Sequence, residues 1–228
     1  MRIFAEIHLL LKNKAVLAGA SGLIGSNLLQ ILLHRDYYDE VVILVRKLLP
    51  VQHIKLTQIK VDFGHLQDHA GSITGHAVFC CLGSTQKKTP DLAVYRRVDH
   101  DYPLSLAQFA LKNGVEQYHL VSALGANAGA SNFYTKMKGE TENDIKNIGL
   151  PCLHIYRPAL LTGLRSEFRL AERIFTPIMK VIDPLLIGGL KKYRSIPASV
   201  VASAMYNQSI NNESGVFIHP SDEIKQLS

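Results

Sequence analysis

The chain predicts an α/β protein of Rossmann-like, doubly wound design, with a mostly parallel sheet and a small irregular C-terminal substrate-side region. Three observations predict it. Short β-branched apolar runs alternate with helical segments, the runs are apolar throughout as strands buried on both faces are, and a glycine-rich turn joins the first run to the first helix.

In order, the strands fall at 15–18, 41–45, 56–61, 77–81, 118–121, 152–156 and 215–218, with helices at 23–35, about 91–112, 131–148 and 198–210. Helices between successive strands specify parallel pairing through right-handed crossovers. The rhythm breaks over 162–197, where Pro177, Pro184 and the pair Gly188 and Gly189 replace a clean strand-helix unit, and insertions of this kind usually form the substrate side. With 228 residues, 47% of them hydrophobic, one domain over 1–228 has core enough to stand without staples, residues 1–13 forming an N-terminal extension.

Composition narrows the function classes. No apolar run is long enough to cross a bilayer, and the opening stretch 3–11 is interrupted by Glu6 and His8, so no membrane span is expected. The nearest small-residue cleavage site, Ala18-Gly19-Ala20, lies inside the strand-to-helix motif, which argues against a secretory signal. Three cysteines, Cys80 and Cys81 adjacent and Cys152 apart, offer neither a disulfide framework nor a zinc site, and a reducing, cytoplasmic location is expected. In a strand the adjacent pair points to opposite faces as small hydrophobes. The net charge of +6 comes from scattered pairs such as Lys87-Lys88, Arg96-Arg97 and Lys191-Lys192, which reads as solvated surface and predicts no nucleic-acid partner.

Gly19-Ala20-Ser21-Gly22-Leu23-Ile24-Gly25 leaves the first strand and opens a helix whose Leu28, Leu29, Leu32 and Leu33 keep helical spacing. In that context G-x-x-G-x-x-G is a dinucleotide cradle: a tight turn, a close backbone approach to pyrophosphate, and amide donors at a helix N-terminus. A Walker A loop is excluded because no Gly-Lys-Ser/Thr follows. The second strand ends in Val45-Arg46-Lys47, where an NAD enzyme places a carboxylate; a cation there suits the 2′-phosphate of NADP(H), although Arg46 could simply be an exposed strand end. Asp62 could accept from the adenine amino group or cap the next helix. Leu82 and Gly83 leave the fourth strand at its carboxyl end, where ligands sit in such sheets, though Gly83 could merely make the turn.

Tyr134 and Lys138 lie four apart on the predicted helix over 131–148, with Ser131 or Asn132 as its cap. A lysine ammonium one turn from a phenol favours the tyrosinate and suits it to proton transfer with a carbonyl. Ser122, just past the fifth strand, could hold the carbonyl oxygen. The bland alternative puts Tyr134 on a buried stripe with Thr141, Ile145 and Ile148.

The order of these motifs resembles the short-chain dehydrogenase/reductase superfamily, in its extended or atypical branch, with Tyr156-Arg157-Pro158-Ala159-Leu160 similar to that branch's Arg-Pro segment. More narrowly, 98–103, 121–127, 131–134 and 138–142 resemble the Tat-interacting-protein-like NAD(P)-binding oxidoreductases. The resemblance implies Tyr134 as acid/base, Lys138 as holder of the nicotinamide ribose and tuner of Tyr134, Ser122 as substrate-orienting, and Pro158 and Ala159 beside the nicotinamide. Ala123, where relatives commonly carry serine, and the extension 1–13 depart from the pattern.

His65 and His69 share a helical face without an evident third ligand, and no metal is expected. Arg165, Arg169 and Arg173 could line an anionic pocket or form a solvated helix face. The expected function is NADP(H)-dependent hydride transfer to or from a small carbonyl or alcohol. Its rival is an NADP(H)-binding sensor without turnover that presents a surface to a protein partner.

Overall fold

The computed structural model describes residues 13–162 and 194–228; residues 1–12 of the extension and 163–193 of the insertion, with Arg165, Arg169 and Arg173, lie outside the described residues. The chain runs β1 (Lys14–Ala18), α1 (Leu23–His34), β2 (Glu40–Val45), β3 (Leu56–Lys60), a 3₁₀ segment (Phe63–Ser72), β4 (Ala77–Cys80), α2 (Leu92–Arg96) and a π turn (Arg97–Asp101). It continues as α3 (Tyr102–Lys112), β5 (Gln117–Val121), α4 (Phe133–Asn147), β6 (Cys152–Arg157), β7 (Leu161–Thr162), β8 (Ile196–Pro197), α5 (Ala198–Ser209), β9 (Gly215–Pro220) and α6 (Ser221–Ile224).

Seven strands form one sheet in the order β3-β2-β1-β4-β5-β6-β9, every neighbouring pair parallel. The winding reverses beside β1, whose neighbours are β2 and β4, and a reversal of this kind opens a crevice at the carboxyl ends of the strands. Alternation along each strand supplies two cores. Leu17, Ile43 and Phe79 pack with Leu28, Leu32 and Met205 from α1 and α5. Val16, Val42 and Val78 pack on the other face with Leu106, Ala110 and Ile145 from α3 and α4. Cys80 belongs to the second core and Cys81 packs against the first, the opposed placement expected of the pair.

The helix expected over about 91–112 runs from Leu92 to Lys112 with a π turn in its middle. Pro103 explains it: proline has no N–H to give the carbonyl four residues back, that of Asp99, which faces the Thr141 hydroxyl of α4 (3.2 Å), a donor shared with the Met137 carbonyl (2.8 Å). The N–H of Tyr102 reaches back five residues to Arg97, the π spacing.

One face of the sheet carries a histidine ladder. Strand register places Phe79, His119, His154 and Phe217 side by side across β4, β5, β6 and β9, and their rings stack at centroid distances of 4.7, 4.7 and 4.9 Å. The Glu223 carboxylate can only accept, so His219 donates to it through Nδ1 (2.8 Å). In the neutral ladder His219 Nε2 then accepts from His154 Nδ1 (3.0 Å), and His154 Nε2 accepts from the Cys152 thiol (3.2 Å). Burial, then the neighbouring histidines, push His119 well below the ordinary imidazole value and His154 down to about 4.

That depression fixes a sign. The unfolded chain takes up protons on these two rings as pH falls through about 6.5 while His119 and His154 stay neutral in the fold, so the stability they contribute is complete above that pH and drains between there and about pH 4. Thermal unfolding should show Tm falling steadily from about pH 7 to about pH 4.5. His154→Phe, which keeps the stack and loses one titrating ring, should start from a lower Tm at neutral pH and fall less steeply; an unchanged slope would exclude the ladder as the cause.

Candidate cofactor and catalytic site

The glycine turn is set by close backbone packing. Gly19 has φ +88°, and a Cβ there would lie 2.5 Å from the carbonyl oxygen of Cys81 at the exit of β4. A Cβ at Gly25 would fall on the carbonyl oxygen of Gly19. Side chains are therefore shut out where β1, β4 and α1 meet, and no side chain caps α1 at Gly22. Bare backbone around an uncapped helix N-terminus fits a pyrophosphate.

A cleft opens over this turn. Gly19, Ser21 and Gly22 line one side, Leu82 and Gly83 another, and Arg46 stands exposed at the end of β2 on its rim. Leu23, Ile24 and Gly25 belong to the first turn of α1, Ile24 and Gly25 being buried. Asp62 caps the 3₁₀ segment: its carboxylate accepts the Gly64 N–H (2.9 Å) and faces His65 (3.1 Å), and the Gly64 bond holds its carboxyl below the usual range. Phe63 beside it lines the cleft and stacks on Tyr102 (5.7 Å).

Asn132 caps α4, accepting from the N–H groups of Tyr134 and Thr135, so the helix begins one turn before Lys138. Tyr134 is exposed and lies parallel to Tyr95 of α2 (centroids 6.4 Å, interplanar angle 10°). The buried stripe that α4 does form holds Met137, Thr141 and Ile145. Lys138 is buried, and its ammonium meets the buried Asp99 carboxylate at 2.8 Å. Despite burial, which favours the neutral amine, the Asp99 charge and then Tyr134 hold Lys138 above the ordinary lysine value. A Cβ on Gly83 would stand 4.0 Å from Lys138 Nζ, so the ammonium sits directly behind the loop that lines the cleft.

Ser122 is buried with its hydroxyl donating to Glu142 (2.6 Å), a carboxylate that Arg157 also grips through Nε (2.9 Å) and a terminal nitrogen. Pro158 is buried beyond Arg157, its carbonyl accepting from Leu124 (3.0 Å), with Ala159 half-buried beside it. The turn, Arg46, Leu82 and Gly83 thus line one cleft with Lys138 behind Gly83, whereas Asp62 and Ser122 are engaged elsewhere. Sequence reasoning gave no role to Phe63, Tyr95, Asp99 or Tyr102; the signal for Asp99 and Tyr102 lay in Pro103, which removes a donor from the helix just where they sit. Among the described residues no cluster of metal ligands occurs, and no helix is long and apolar enough to cross a membrane.

A glycine cradle at the switch point of a doubly wound parallel sheet defines a dinucleotide-binding protein. The NAD(P)H-binding family model matches residues 19–172, and the chain belongs to that family, in the atypical short-chain dehydrogenase/reductase-like branch that includes the Tat-interacting-protein-like proteins. It is 31% identical over 210 residues to protein HTATIP2 of Rattus norvegicus, covering 90% of this chain and 85% of that one. It is 30% identical over 201 residues to protein fmp52, mitochondrial, of Aspergillus fumigatus, covering 85% and 86%. Among solved structures it resembles a UDP-N-acetylglucosamine 4-epimerase from Methanobrevibacter ruminantium M1 in complex with UDP-N-acetylmuramic acid (TM-score 0.69, 18% identity, 92% of this chain and 77% of that one). It also resembles the Bordetella bronchiseptica enzyme WbmH in complex with NAD⁺ (TM-score 0.69, 18% identity, 92% and 75%). At those identities the likeness shows the fold.

Removing the Ser122 hydroxyl leaves the buried Glu142 with one donor fewer, so Ser122→Ala should cost about 1–3 kcal/mol of stability, read from denaturant midpoints. An unchanged midpoint would mean that the Ser122–Glu142 bond contributes nothing.

Proposed function

We propose that this protein is an NADP(H)-dependent oxidoreductase that passes hydride between the nicotinamide and a small carbonyl or alcohol, with Tyr134 moving the proton. The observation that carries the reading is the Lys138 ammonium directly behind Gly83, one helical turn from an exposed phenol. NADP(H), bound over the turn, supplies or accepts the hydride.

Backbone N–H groups at Gly22 and the start of α1 receive the pyrophosphate. Arg46 pairs with the 2′-phosphate, with no carboxylate at the strand end to oppose it. Lys138 holds the nicotinamide ribose one helical turn from Tyr134. In reduction the Tyr134 hydroxyl donates its proton to the developing alkoxide; in oxidation the tyrosinate takes it back. Tyr95 holds the Tyr134 ring in plane by stacking. Ser122 orients the carbonyl once its hydroxyl turns from Glu142. Pro158 and Ala159 wall the nicotinamide. We place the protein in the cytoplasm; the fungal relatives are named mitochondrial, and fractionation decides between the two. One observation favours the sensor reading: in this structure the Ser122 hydroxyl has no proton to offer a substrate, since Glu142 takes it.

Fluorescence titration should find NADPH bound more tightly than NADH. Arg46→Glu should weaken NADPH by about ten- to a hundredfold, the loss of one charge-assisted contact, while sparing NADH. Equal affinities in the unmodified protein would remove the NADP assignment. A screen of aldehydes, ketones and quinones against NADPH oxidation supplies a substrate, after which Tyr134→Phe should keep NADPH affinity and lower kcat by about a hundredfold or more. Full turnover in that variant would end the role of Tyr134; no turnover by the unmodified protein, with a partner lost on Tyr134→Phe, would establish the sensor.

A further inference from the structure

We propose that Asp99 is the residue that positions Lys138: delivered by the π turn, its two carboxylate oxygens hold the ammonium of Lys138 and the backbone N–H of Ser84, and so lock the Tyr-Lys helix to the loop that lines the cofactor cleft. The inference rests on the reading of Lys138 as the holder of the ribose.

Four observations meet at this carboxylate. It is 1% exposed, a position a carboxylate takes only when paired. One oxygen lies 2.8 Å from Lys138 Nζ, and the other accepts from Ser84 at 2.7 Å. The backbone beneath it is a π turn, a rare conformation that recurs at functional sites, and the Asp99 carbonyl, denied a helical N–H by Pro103, lies 3.2 Å from the Thr141 hydroxyl of α4, which it shares with the Met137 carbonyl. Gly83 keeps the pair open to the cleft: a Cβ there would stand 3.4 Å from the Asp99 carboxylate oxygen. A lone buried ammonium would shed its proton, and a mobile one could not select a ribose; Asp99 removes both defects.

The charged and titratable groups around the ammonium are Asp99 from the π turn, Tyr134 from its own helix and Cys80 from β4, with Tyr95 of α2 facing Asp99. Burial pulls the lysine down and Asp99 is the largest influence opposing it. Without the carboxylate, burial prevails and the ammonium titrates at lower pH.

The test is NADPH affinity across pH in the full chain. The unmodified protein should bind with constant affinity from about pH 7 to about pH 10. Asp99→Asn, which keeps the shape and an acceptor for Ser84, should match it at the lower end and lose up to about tenfold per pH unit at the alkaline end. Asp99→Glu, which restores the charge, should return the flat profile at weaker affinity. A lysine-labelled NMR titration of the unmodified protein reads the same quantity without a variant, and Lys138 should hold its proton beyond the ordinary value of 10.5. A flat Asp99→Asn profile, a pH-independent loss that tracks a lowered Tm, or a Lys138 that titrates below that value would each overturn the positioning role. Lys138→Ala is the reference: if it weakens NADPH while Asp99→Asn is flat, only the positioning role falls, and if it leaves NADPH untouched the ribose-holding reading falls with it.

Discussion

The rest of the site depends on a contact between two stretches of bare backbone. Position 19 has no space for a side chain, because a Cβ there would meet the Cys81 carbonyl oxygen at 2.5 Å. That contact sets the spacing between the exits of β1 and β4, the strands that flank the reversal of winding, and hence the width of the crevice. From Cys81 the chain passes to Gly83 and Ser84; Ser84 binds Asp99, Asp99 binds Lys138, and Lys138 lies one turn from Tyr134. The glycine just past β1 is thus linked through the β4 exit loop and Asp99 to the ammonium on α4, one helical turn from the phenol.

Two buried carboxylates, one under α4 and one on it, each have a cation. Asp99 meets Lys138 near the cleft, and Glu142 meets Arg157, with Ser122 as a further donor. Buried ion pairs are poor sources of stability, since desolvation cancels most of the attraction, so their value lies in geometry. Each pair joins α4 to another element: the first to the π turn, the second to the end of β6. The helix that carries Tyr134 is therefore fixed in rotation and along its axis by directed bonds, which apolar packing alone would fix less tightly.

Much of this could be read in the sequence because parallel strands buried on both faces and a glycine turn between strand and helix are local patterns. Strand positions, the cap at Asn132 and the Tyr134–Lys138 spacing all follow from neighbours within a few residues. What escaped depends on register. His119, His154 and His219 look like scattered histidines until β5, β6 and β9 are laid side by side, and no local pattern announces that three rings will stack or that His154 and His219 will share a proton. The π turn at 97–101 was partly legible, since a proline inside an expected helix removes a donor, but its outcome, a carboxylate turned under α4, needs the position of Lys138 to be understood.

The division of labour between Tyr134 and Lys138 follows from their exposure. A group that trades a proton with a substrate must reach it, and Tyr134 is 37% exposed, the phenol facing outward from the first turn of α4. A group that acts through its charge works best where water does not screen it, and Lys138 is 5% exposed. One helical turn separates the two conditions, and the four-residue spacing places the pair on a common face while allowing one end of that face to meet solvent and the other to enter the core. The same burial that makes the charge effective would abolish it without a counter-charge, so the spacing that suits proton transfer also demands a third residue, and in this fold the π turn brings Asp99 to that place.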